Sequence, residues 1–195
     1  MPAPLDILLL SPFHGGSHAA WAEEFARHSS HRVELLTLPG RHWKWRMHGA
    51  AVTLARRFIR QNQRPDLILA TDMLDLTSFL ALTRRQAAGL PVALYMHENQ
   101  LTYPWSADDQ YPGLARDRHY AYINYLSGLA ADQIFFNSAY HREVWLAGLP
   151  GFLRAFPDHR ALDTVAEIAA KSEVLPLGLE LPPPRLERLP PSPPL

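Results

Sequence analysis

Pro91-Val92-Ala93-Leu94-Tyr95-Met96-His97-Glu98-Asn99-Gln100-Leu101-Thr102-Tyr103-Pro104 decides how the rest of this chain reads. Its first six residues form an apolar run that ends abruptly in ionisable, amide and aromatic side chains. A continuous apolar run is what a strand buried on both faces requires. In an open parallel sheet, ligands bind outside the carboxyl ends of the strands. The His-Glu-Asn cluster therefore stands where chemistry or polar recognition is expected.

Working outward, five more short runs read as strands: Ile7 to Pro12, Arg32 to Leu38, Leu67 to Thr71, Gln133 to Asn137, and Glu173 to Leu177. The intervals have helical spacing. Gly16 to His28 aligns Ala19, Ala22 and Phe25. Gly49 to Asn62 aligns Ala51, Leu54, Ala55, Phe58 and Ile59. Asp117 to Ala131 aligns Tyr122, Ile123, Leu126 and Leu129, and a further helix opens at Ala139 and reaches Leu146. Strands alternating with helices predict an α/β fold: a doubly wound parallel sheet with helices on both faces.

Composition bounds the partners only loosely. The 195 residues are 47% hydrophobic with zero formal net charge and no cysteine. Length suffices for one domain with a sizeable core. Disulfides, thiol catalysis and cysteine-ligated zinc are excluded. No apolar run has membrane length, and the first residues lack a signal peptide's basic and apolar regions. The expectation is a soluble, cytoplasmic protein without a membrane partner. The tail has another character: Pro176 to Leu195 holds eight prolines in twenty residues. Proline breaks helices and sheets and makes stiff linkers. A domain over 1–180 followed by a linker over 181–195 is expected, leading to a further domain absent from the sequence.

Charge is distributed unevenly. No acidic residue lies between Glu34 and Asp66, a stretch with seven arginines and lysines. Its opening, Arg41-His42-Trp43-Lys44-Trp45-Arg46, interleaves cations with two indoles. Cations meet phosphates and aromatic faces stack on unpaired bases, so the pattern suits single-stranded nucleic acid. Arg41, Trp43, Lys44, Trp45 and Arg46 are expected in a loop that binds RNA. Arg56, Arg57 and Arg60 read more simply as the solvated face of a helix.

Three further clusters follow strands. In His14-Gly15-Gly16-Ser17-His18 the glycines allow a tight turn and close approach of a ligand, and amides at the next helix start favour an anion. A tight turn with Ser17 as helix cap explains the same residues. In the histidine-glutamate loop, His97 and Glu98 are candidate acid and base. Asn99 and Gln100 suit hydroxyls or base edges, and Tyr103 offers a stacking face. A hydrogen-bonded network that orders the loop is the plainer alternative. Asn137 and Ser138 contact a ligand or, for Ser138, cap a helix. His14, His18 and His97 match no metal-ligand spacing, so no metal site is expected.

Together FHGGSH (Phe13 to His18), LPGRHWKWR (Leu38 to Arg46), MHENQLTYP (Met96 to Pro104), FNS (Phe136 to Ser138) and PDHR (Pro157 to Arg160) resemble, in order and spacing, the amino-terminal domain of tRNA-queuosine α-mannosyltransferases. The likeness covers roughly residues 5 to 180. It implies the Rossmann-like amino-terminal half of a GT-B glycosyltransferase, shaping the acceptor side while a second domain holds most donor contacts. The implied reaction carries mannose from GDP-mannose, with retention, to queuosine in the tRNA anticodon loop. By the same resemblance Gly15 and Gly16 approach the donor, with Ser17 and His18 beside them. His97 touches the transferred sugar, Glu98 and Asn99 position the acceptor or order the loop, and the tryptophan segment faces tRNA. No metal or other cofactor is implied. A different acceptor, or a non-catalytic RNA-binding module, remain the alternative functions.

Overall fold

Six parallel strands lie side by side in the computed structural model, which describes residues 3–102 and 118–178. They are β1 (Asp6–His14), β2 (Arg32–Pro39), β3 (Leu67–Thr71), β4 (Val92–Met96), β5 (Gln133–Phe136) and β6 (Ser172–Val174), in the order β2-β1-β3-β4-β5-β6. Leu9 of β1 pairs in register with Leu35 on one side and Leu69 on the other, and Leu94 of β4 pairs with Ile134 of β5. The chain first steps from β1 to β2 and then returns across β1 to β3. Loops after β1 and β3 therefore diverge and open a crevice between them, the topological switch point.

Alternation along β1 sorts the core into two layers. Leu8 and Leu10 point to the larger one, built with α2 (Trp43–Gln61), α3 (Leu76–Thr83), α4 (Arg118–Ala130), α5 (Ala139–Arg154) and α6 (Thr164–Ala170). Ile7 and Leu9 point to the smaller one, covered by α1 (Gly16–His28) through Ala22, Trp21 and Phe25. Helices on both faces are thus observed. Among the described residues only α1 stands on the second face, and beside it runs an apolar groove of about 520 Å³ floored by Leu69, Ala93, Tyr95 and Phe135.

Several element bounds differ from the sequence reading. Helix α2 starts at Trp43, six residues before Gly49, so Trp43, Lys44, Trp45 and Arg46, expected in a loop, form its first turn, while Arg41 precedes it. Its cap residue His42 has a left-handed φ of 56° and gives no side-chain cap, so no capping residue announces the start. What holds the extra turn is packing: Trp43 tilts on Tyr120, and Met47 is buried with Met73 and Tyr120. Helix α5 continues through Pro150 to Arg154. Helix α3, absent from the reading, is capped by Asp75, which accepts the Ser78 N–H (2.9 Å) and both neighbouring hydroxyls. Strand β1 runs on to His14, with a register shift after Ser11. The start of the predicted helix at Asp117, Tyr103, and the tail 181–195 with its domain division lie outside the described residues. Among the described residues, no helix is long and apolar enough to cross a membrane.

Candidate functional site

The exits of β1, β3, β4 and β5 at the carboxyl rim each contribute to a shared polar cluster. After β1, Gly16 takes a φ of +53°, and Gly15 lies against Gly40 of the β2 loop. A Cβ on Gly40 would sit 2.7 Å from the Gly15 Cα, so side-chain-free residues are needed on both strands' exits. That contact carries α1 inward and buries His18 in the crevice. Ser17 is exposed and makes no side-chain cap; Gly15 itself is the cap residue of α1.

His97 and Glu98 follow β4. The His97 ring packs between Trp21 (4.6 Å between centroids), His18 (4.7 Å) and Tyr95 (4.8 Å). Burial, reinforced by His18 and His141, pulls its imidazole down to about 3. It is uncharged at neutral pH, and its Nε2 is buried without a hydrogen-bond partner. Glu98 turns the other way: Oε1 meets Nε2 of His18 at 3.4 Å and Oε2 accepts from Gln100 at 3.3 Å. Burial alone pushes the His18 imidazole down, but the Glu98 hydrogen bond and the charges of Asp72 and Glu98 raise it on balance. Asn99 closes the turn by accepting the Leu101 N–H at 3.0 Å.

Asp72, which sequence reasoning missed, stands at the end of β3 and is completely buried. Its Oδ2 accepts the Glu98 N–H at 2.9 Å, its own N–H donates to the Tyr95 carbonyl, and its carbonyl accepts from Asn124 Nδ2 at 2.6 Å. Burial pushes its carboxyl up to about 7; His18 opposes this and Glu98 adds to it. The signal was present in Leu69-Ala-Thr-Asp72: an apolar strand ending in a carboxylate, as β4 ends in His97. Asn137 braces the same turn by donating from Nδ2 to the His97 carbonyl at 2.9 Å, and its Oδ1 pairs with His141 Nδ1 at 3.0 Å. Ser138 caps α5 through the His141 N–H at 3.1 Å.

The aromatic and basic segment borders this cluster. Phe13 of β1 packs edge-on to His18 and also joins Met47 and Trp43, which links crevice and α2. Trp43 is half-buried, with Lys44 above its ring at 5.5 Å. Trp45 is exposed, as is Arg41, while Arg46 donates to the Pro39 carbonyl. The structure thus brings together His18, His97, Glu98, Gln100 and Asn137, and sets the tryptophan segment beside them. Among the described residues, no three metal-ligating side chains converge.

A six-stranded parallel sheet flanked by helices, with ionisable groups gathered at its switch point, defines a Rossmann-like domain. Comparison with known proteins narrows the class. The family described as the tRNA-queuosine alpha-mannosyltransferase N-terminal domain matches residues 6–179. A tRNA-queuosine alpha-mannosyltransferase of Drosophila melanogaster is 32% identical over 170 residues, covering 87% of this chain and 43% of the fly protein. The chain belongs to the tRNA-queuosine α-mannosyltransferase family, at the level of its amino-terminal domain, and spans less than half the length of that relative.

Proposed function

We propose that this chain is the acceptor-side half of a retaining GT-B mannosyltransferase that modifies queuosine in tRNA. The family match over nearly all of the described chain carries the reading. The rim geometry supports it, because neutral and acidic hydrogen-bonding groups converge beside a basic, aromatic helix start. GDP-mannose is the donor, tRNA the acceptor and the cytoplasm the compartment.

The chemistry needs little from acid-base groups of this domain. A cyclopentenediol hydroxyl of queuosine bonds to the anomeric carbon as the bond from that carbon to the diphosphate oxygen breaks. The hydroxyl proton passes to the departing diphosphate, leaving GDP and the mannosylated nucleoside. His97 is uncharged and serves as a hydrogen-bonding group to the transferred sugar, not as a proton donor. Its unpartnered Nε2 supports that role. Glu98, oriented by His18 and by the Asp72 carboxylate, positions an acceptor hydroxyl. Gly15 and Gly16 leave room for the donor, while Ser17, Asn99, Gln100, Asn137 and Ser138 frame the two substrates. Developing charge on the diphosphate is met chiefly by groups of the companion domain.

The test is mass spectrometry of nucleosides from queuosine-containing tRNA incubated with the full-length protein and a panel of nucleotide sugars. A hexose gain on queuosine with GDP-mannose alone is the expected result. Silence with every donor contradicts it. Transfer with no metal requirement also predicts that EDTA leaves the rate unchanged; loss on chelation, restored by a divalent cation, overturns that part.

A further inference from the structure

Trp45 stands apart from the other aromatic residues of the rim. It is 63% exposed, whereas Trp43 is half-buried and tilted against Tyr120. A lone exposed aromatic is ordinary on a protein surface; what bears on function is how this one is seated. This one lies over Gly49, one helical turn on: a Cβ at position 49 would come within 2.6 Å of Cε2 and Cζ2 of the ring. Glycine is a poor helix former, yet it occupies the interior of the 19-residue helix α2, where it serves as a recess for the indole. The ring is thereby held against the helix surface while most of it stays open to solvent.

Charge supplies the second half of the argument. At 3.6 residues per turn, Trp45, Gly49, Val52, Arg56 and Arg60 fall on one stripe of α2. Val52, Arg56 and Arg60 are exposed. Arg57, by contrast, turns off the stripe to donate to the Thr37 carbonyl at 2.9 Å. The stripe is about 22 Å long at 1.5 Å per residue, with an aromatic platform at the rim end and cations behind it. No carboxylate occurs anywhere between Glu34 and Asp66 to repel a polyanion.

We propose that Trp45, seated on Gly49, is a stacking platform for one unpaired base of an RNA strand whose phosphates follow Arg56 and Arg60 along α2. This rests on the tRNA reading above and deepens it, by naming which residue takes a base and what holds that residue in place. An indole face accepts any base, so the platform selects unpaired over paired RNA and not one sequence over another.

The experiment measures binding of the full-length protein, without nucleotide sugar, to an anticodon-arm stem-loop RNA and to a fully paired duplex of equal length. The native protein should prefer the stem-loop. Trp45→Ala and Gly49→Ala should each weaken stem-loop binding about 5- to 100-fold, with little change on the duplex and no change in salt dependence. Trp45→Phe should retain part of the preference. Arg56→Ala should weaken both RNAs and reduce the salt slope by about one. Gly49→Ala favours the helix, so it stays readable if Trp45→Ala proves unstable. Unchanged stem-loop binding in Gly49→Ala and Trp45→Ala overturns the platform, as does equal loss on stem-loop and duplex. Failure of the native protein to bind either RNA also overturns it. Hexose transfer, followed separately by nucleoside mass, is independent of these binding results.

Discussion

Asp72 and His97 belong to one polar cluster at the ends of β3 and β4, where burial moves their two side chains in opposite electrostatic directions. The Asp72 carboxyl is raised from 3.8 to about 7. Its folded form therefore holds a proton more tightly than the unfolded form, and the stability this gives is full below about pH 4 and lost as pH rises through 7. Relative to Asp72→Asn, the native chain should lose stability between about pH 4 and 7, by at most about 1.4 kcal/mol per pH unit. The His97 imidazole is lowered from 6.5 to about 3. Its contribution is full above 6.5 and lost as pH falls toward 3, so His97→Phe should remove part of the acid-side destabilisation. Urea midpoints between about pH 4 and 8 check both signs; a pH-independent difference between native and Asp72→Asn chains contradicts the first. Of these two residues only His97 stood out in the sequence, because a strand ending in histidine and glutamate is conspicuous. Asp72 was hidden because one aspartate before a turn looks like any helix-capping or turn residue, and its burial depends on α4 reaching back through Asn124.

At the scale of elements, local pattern located the strands well because buried parallel strands are uninterrupted apolar runs. Helix starts were harder. Helix α2 begins in residues chosen for contacts with Phe13, Met73 and Tyr120, far away in the sequence, and nothing near His42 marks a cap. Helix α3 carried its mark in Asp75-Leu-Thr-Ser78, but its apolar run was too short to stand out from a buried strand. Gly15 was legible as a turn; that its partner is Gly40 was not, since the contact joins the exits of two strands. That contact gives a graded prediction. Gly40→Ala places a Cβ 2.7 Å from the Gly15 backbone, and Gly15→Ala places one 3.1 Å from the Gly40 backbone. Gly40→Ala should cost about 1–3 kcal/mol and Gly15→Ala less, read as a fall in Tm. Equal midpoints for Gly40→Ala and the native chain show that the loops do not need their close approach.

The described residues form one sheet with a polar rim, a basic helix beside it and an apolar groove beside α1. Its fold class was legible because strand and helix patterns alternate throughout; its site was legible only in part, since three of the loops meet through tertiary contacts. The matched fly protein is more than twice as long as the shared region, and the account assigns most donor contacts to the remainder. It therefore predicts that the 195-residue chain binds stem-loop RNA but transfers no hexose, while the full-length protein does both. Transfer by the short chain alone, seen as a hexose on queuosine, contradicts that division. The most direct measurement is the transfer rate of full-length His97→Phe at saturating tRNA and GDP-mannose, since phenylalanine keeps the ring packing and removes the nitrogens. A fall of about 100-fold or more is expected, with tRNA affinity unchanged. Native turnover in this variant would place the transferred sugar elsewhere and contradict the site.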